Sequence, residues 1–144
     1  MIYLSNTQSS TVTVTLYENC KNIYNPYFLW QITDKSSFNS ILFTADDHSY
    51  SPYYFNQFTF SVVSITGTTT PYGSTNGTIY TNTGTYDYKV YEMANQYDLD
   101  IKNAVGLVEE GILTIAGSYS SYLVNTQNDD ATIFVNTNLD FSSE

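Results

Sequence analysis

The residues best suited to acid–base or metal chemistry are few. The one histidine, His48, directly follows Asp46 and Asp47, and the one cysteine, Cys20, stands 28 positions upstream. An imidazole beside carboxylates has the parts of a general base. A Ser–His–Asp centre also needs a serine held on a rigid turn such as G-x-S-x-G, and the chain contains no such elbow. A zinc site needs three or four His, Cys or carboxylate ligands, which one histidine and one distant cysteine do not supply. His48 therefore reads as a solvated loop residue.

Carboxylates recur in short spacing: Asp46-Asp47, Asp98 with Asp100, Glu109-Glu110 and Asp129-Asp130. Close loop carboxylates suit calcium, which takes six to eight oxygens. Asp98-Leu99-Asp100 has the D-x-D spacing but lacks the glycine and distal glutamate of a calcium loop. Glu109 and Glu110 are adjacent on a predicted strand and point to opposite faces, so they do not by themselves form a glycosidase pair. No glycine-rich phosphate loop occurs. The expectation is a protein that is not an enzyme, with no catalytic residue, no cofactor and no metal; the carboxylates then serve as solvated charges.

The background in which these residues sit is unusual. Fourteen acidic residues face four lysines and no arginine, for a net charge of −10 over 144 residues. That balance excludes nucleic acid as a partner, because phosphate binding needs clustered basic side chains, and it opposes adsorption to an anionic membrane. Charged residues are only 12% of the chain, about half the usual share. Thr, Ser, Asn and Gln take their place, at 55 of 144 residues, with 15 Tyr and 8 Phe besides. An acidic disordered chain is poor in aromatics, so this composition is that of a folded protein, and its Thr, Tyr, Val, Ile and Phe are strand formers. A lone Cys20 forms no internal disulfide. The first residues carry no basic segment and no apolar stretch of leader type, and no run approaches the ~18 apolar residues of a membrane span. The sequon Asn76-Gly77-Thr78 reads as turn chemistry.

What must position these groups is a set of strands. Alternation with period two dominates. Residues 10–18 place Val12, Val14 and Leu16 on one face; residues 27–33 align Phe28, Trp30 and Ile32; residues 40–45 align Ile41 and Phe43. Residues 46–54 form a polar, aromatic-rich loop broken by Pro52. Residues 55–63 align Phe58, Phe60 and Val62, and a Thr/Gly/Pro/Ser loop follows to Asn76. Residues 77–81 and 85–92 read as two strands joined by a turn at Asn82 to Gly84. Residues 93–104 are the one stretch able to hold a helical turn. Residues 105–116 resume strand with a bend or bulge expected at Gly111, and residues 119–125 and 131–136 read as a further hairpin. Eight or nine short strands at regular spacing predict a sandwich or barrel.

The segment Asn82-Thr83-Gly84-Thr85-Tyr86-Asp87-Tyr88 resembles the strand-F corner of immunoglobulin-like sandwiches. There a tyrosine after a turn bonds back to the chain just upstream, and a core residue follows two positions on. Tyr86 matches the corner tyrosine, Tyr88 the second core position, Leu16 the strand-B core position, and Trp30, fourteen residues later, the buried strand-C tryptophan. The resemblance covers residues 10–116 and lacks both antibody cysteines. It implies an all-β, immunoglobulin-like β-sandwich over residues 1–117 with Trp30, Tyr86 and Tyr88 in its core. Residues 118–144 add a β-hairpin or arm on the same domain or a neighbouring subunit. The same aromatics also suit another sandwich, such as a jelly roll.

Fifteen tyrosines exceed what one such core can hold centrally. Tyr50, Tyr53, Tyr54 and Phe55 cluster around one loop, and Tyr119 and Tyr122 lie in the last hairpin. Tyrosine is favoured at interfaces for its large contact area and polar tip, so these six are the candidate interface. The run Tyr86-Asp87-Tyr88-Lys89-Val90-Tyr91-Glu92, followed by Gly106-Leu107-Val108-Glu109-Glu110-Gly111, resembles small virion proteins of tailed bacteriophages, those of Bacteroidota hosts and crAss-like phages included. That resemblance, over about 30 residues, implies a capsid decoration protein or a head-fibre base, with tail or collar proteins as further options. The implied partners are the major capsid protein or fibre or collar subunits, in an oligomeric particle. The implied location is the virion, after synthesis in the host cytoplasm, which accounts for an unpaired Cys20 and no leader. The alternative is a carbohydrate-binding or adhesin-like module using its loop tyrosines.

Overall fold

A computed structural model describes residues 1–22, 24, 26–51 and 54–117. The expected C-terminal hairpin, with Tyr119 and Tyr122, and Tyr53 lie outside the described residues. The strands are β1 (Ile2–Ser5), β2 (Ser10–Val14), β3 (Tyr27–Asp34), β4 (Ser40–Thr44), β5 (Asn56–Val63), β6 (Thr78–Tyr80), β7 (Gly84–Met93) and β8 (Ala104–Ala116), with 3-10 turns at Tyr17–Asn19 and Ile101–Asn103. The protein is all-β. Strands β1-β8-β7-β3-β4 form one sheet and β2-β5-β6 a second. No helix among the described residues is long and apolar enough to cross a membrane.

Alternation sets the inner faces. β3 turns Phe28, Trp30 and Ile32 inward, β5 turns Phe58, Phe60 and Val62, and β7 turns Tyr86, Tyr88 and Val90; all belong to one buried cluster. Trp30, wholly buried, is its centre: Phe60 lies 4.9 Å away edge-on, Phe58 5.4 Å away edge-on, and Phe43 stacks at 6.2 Å. Offset and edge-to-face rings of this kind are the favoured aromatic geometries. Ladder registers place Trp30 opposite Phe43 of β4 and Val90 of β7.

Several local expectations are corrected. The run 10–18 is not one strand: β2 stops at Val14, and Leu16 Oxygen-to-amide bonding turns the chain into the 3-10 turn, where the Asn19 and Cys20 N–H groups donate to the Leu16 and Tyr17 carbonyls. The Leu16 N–H donates instead to Asn56 Oδ1 at 3.0 Å, while its side chain still reaches the core. β1, unforeseen, lies parallel to the end of β8 and buries Ile2 and Leu4. Gly111 is not the bulge; it pairs in register with Tyr88, and the ladder slips at Val90/Tyr91 and Glu92/Met93 instead. β6 and β7, contiguous in sequence, belong to different sheets. β6 runs parallel to β5.

The connection into β6 passes along the outer edge of β4. The Thr44 N–H donates to the Ser74 carbonyl at 3.0 Å, and the Gly77 N–H to the Thr44 carbonyl at 2.9 Å. Gly73 packs so closely on the Leu42 carbonyl that any Cβ there would collide with it. The sequon folds as a turn, with Asn76 Oδ1 accepting from the Ser74 hydroxyl and the Thr78 N–H, and Gly77 at φ 82°.

Candidate functional site

Strands β2, β4 and β7 end, and β3 and β5 begin, at one end of the molecule. The loops 15–26, 45–55 and 94–103 therefore meet there. Each is tied down by a polar side chain aimed at backbone. Asp47 Oδ1 accepts from the Ser49 and Gln57 N–H groups at 2.9 and 3.1 Å, and its Oδ2 from Asn56 Nδ2 at 2.6 Å. Asn56, fully buried, passes the connection on to Leu16. The buried Glu92 carboxylate accepts the N–H groups of Lys21 and Asn22 at 2.7 and 2.8 Å. Asp98 accepts from the Asp100 N–H and Asn103 Nδ2, and Asp100 from the Lys102 N–H. Two paired-carboxylate motifs thus act as turn braces, a use that Asp shares with N-caps and Asx-turns.

Exposed on this frame are Tyr24, Tyr50, Tyr54 and Tyr97, with Tyr50 98% accessible. Of the candidate interface residues, Tyr50 and Tyr54 project into solvent, Phe55 is half-buried, and Tyr53, Tyr119 and Tyr122 lie outside the described residues. His48 is exposed, and its backbone N–H donates to the Gln57 carbonyl. Among the described residues no three His, Cys, Asp or Glu side chains gather in a metal-binding group. Burial and the nearby Glu92 charge push the Cys20 thiol up to about 12, which leaves it protonated and unreactive at neutral pH.

Between these loops opens a cleft of about 380 Å³. Tyr17, Tyr27, Phe28, Phe58 and Tyr97 form its aromatic lining; Thr44, Asp46, Asp47, Ser49 and Gln96 supply the polar part. Gln96 Nε2 and the Tyr97 hydroxyl both donate to Asp46 Oδ1 at 3.3 Å, clasping the loop 94–103 to the loop 45–55. The Asp46 charge raises the Tyr97 phenol above its ordinary value. Tyr97 sits in the left-handed backbone region, at φ 64°. Sequence reasoning singled out Asp46 and Asp47 and missed Thr44, Gln96 and Tyr97, because no spacing rule joins residues fifty positions apart.

The three core assignments, Trp30, Tyr86 and Tyr88, are buried in the central cluster. The Tyr86 hydroxyl donates to the Asn82 carbonyl at 2.8 Å and shares a 2.9 Å bond with the Thr81 hydroxyl. Tyr88 donates to Glu109 Oε2 at 2.7 Å and lies 5.7 Å from Trp30. Trp30 Nε1 has no hydrogen-bond partner among the described residues. No family model matches this sequence, and no curated protein or solved structure matches it.

Proposed function

We propose that this chain is a non-catalytic structural protein of a tailed-phage virion, a capsid decoration or head-fibre component that joins other particle subunits through its tyrosine-bearing loop end. The observation that carries the reading is concentration: of the six exposed tyrosines among the described residues, Tyr24, Tyr50, Tyr54 and Tyr97 belong to the three loops of that one end, while Tyr3 and Tyr72 lie elsewhere. Clustered exposed aromatics mark interaction surfaces, since a lone domain gains nothing by keeping them wet. The virion setting rests on the resemblance of residues 86–92 and 106–111. We also read the fold as immunoglobulin-like. The β8-β7-β3 order with Trp30 on β3 and a corner tyrosine at position 86 supports this; the parallel β5–β6 pair departs from it. The test is particle incorporation. Mass spectrometry of purified particles should find the wild-type chain, and a Tyr50→Ser/Tyr54→Ser variant with unchanged melting temperature should be incorporated at least tenfold less. Equal incorporation overturns the interface.

The cleft favours a second reading, a carbohydrate-binding or adhesin-like module, because Tyr97, Gln96 and Asp46 set a ring, an amide and a carboxylate side by side. Such a module binds soluble glycans as a monomer, and glycan-array binding by the isolated chain checks it.

A further inference from the structure

We infer that the cleft between the loops 45–55 and 94–103 is a socket for an arginine side chain of a partner subunit, its guanidinium paired with Asp46 against the aromatic wall. This rests on the assembly reading above and names the chemistry that the loop end recognises.

The cleft's size, about 380 Å³, falls within the range of ligand sites, roughly 300–1,000 Å³. What it recognises follows from which hydrogen-bonding capacity is already used. Several of its donors are engaged: Gln96 Nε2 and the Tyr97 hydroxyl with Asp46 Oδ1, and Asn56 Nδ2 and the Gln57 N–H with Asp47. Acceptors remain. Asp46 Oδ2 has no bond among the described residues, and neither Thr44 Oγ1 nor Ser49 Oγ has a partner, although Thr44 is 4% exposed and both residues line the cleft. The carboxylate oxygen and both hydroxyl oxygens can accept from a group that only donates. A guanidinium has five N–H donors and no acceptor.

Charge points the same way. Asp46 and Asp47 line the cleft and no lysine does. Lys35, the one lysine in an ion pair among the described residues, is held by Asp87. The chain has no arginine and a net charge of −10, so a guanidinium seated here comes from another molecule. Aromatic faces attract cations, and a planar guanidinium stacks on rings while forking onto a carboxylate, which a compact ammonium does not do.

The test titrates the full chain, followed by NMR, with N-acetyl-arginine amide, its neutral isostere N-acetyl-citrulline amide, N-acetyl-lysine amide and methyl glucoside. The arginine derivative should saturate resonances of Asp46, Gln96 and Tyr97 at least tenfold more tightly than citrulline, and Asp46→Asn should abolish that difference. If Asp46→Asn fails to fold, Tyr97→Ala should weaken arginine binding instead. Citrulline or lysine binding as tightly as arginine overturns the guanidinium, and glucoside saturating the same resonances assigns the cleft to sugar. Particles separate the two levels. A folded Asp46→Asn chain that binds arginine poorly yet incorporates fully overturns the partner half of the inference. A wild-type chain missing from particles overturns the assembly reading and leaves the titration result standing.

Discussion

Tyr88 packs against Gly111 across the β7–β8 ladder so closely that a Cβ at position 111 would lie 2.9 Å from the ring's Cε1 and 3.0 Å from its Cζ and hydroxyl oxygen. The ring has little room to retreat, with Trp30 5.7 Å away and its hydroxyl bonded to Glu109. The glycine is thus a packing requirement of the core tyrosine.

Gly111→Ala should accordingly destabilise the fold by about 1–3 kcal/mol, the usual range for an overpacked core. Urea denaturation measures it; an unchanged midpoint would show that the Tyr88 ring yields freely.

Glu92 braces the loop 15–26 from beneath. Glu92→Ala should cost about 1–3 kcal/mol by leaving the Lys21 and Asn22 N–H groups unpaired. Glu92→Gln removes the charge that helps to hold the Cys20 thiol protonated, so alkylation of Cys20 at pH 8 should speed up in that variant. Equal alkylation rates in the two folded proteins would contradict the electrostatic coupling.

Trp30→Ala should cost about 3–5 kcal/mol, since it empties the centre of an aromatic cluster. Thermal melts of the wild type and of Trp30→Phe, which keeps a ring, provide the scale. A small effect of the alanine change would place the core elsewhere.

Alkaline pH should unfold the protein through Tyr86 and Tyr88. Burial is the main cause that raises both phenols above the ordinary tyrosine value, and the bond to Glu109 raises Tyr88 further. A raised folded-state pKa means that the stabilisation is fully present below the unfolded value, about 10, and is lost as pH climbs through the folded values. Denaturation midpoints should therefore fall above about pH 10, and Tyr88→Phe should flatten that decline. A midpoint independent of pH in that range would rule out both tyrosines as its source.

Much of the strand content could be read in the sequence because a period of two needs only neighbouring residues. The placements of Phe28, Trp30 and Ile32, and of Phe58, Phe60 and Val62, follow from that local rule. The corner bond of Tyr86 is equally local, made to a carbonyl four residues upstream. What pairs with what was not legible. β1 finds its parallel partner more than a hundred residues away, and β6 leaves β7 for the other sheet although only three residues separate them. The end of β2 is decided by Asn56, forty residues on, which takes the Leu16 N–H that a longer strand would need. The cleft is of the same kind: Asp46 meets Gln96 and Tyr97 only because β4 and β7 both flank β3 and end at the same edge of the sheet. Composition and alternation determined that this chain is all-β and acidic with tyrosine to spare. Tertiary structure alone decided which tyrosines face solvent together and which carboxylate keeps an oxygen open, because both depend on contacts between residues that no local pattern connects.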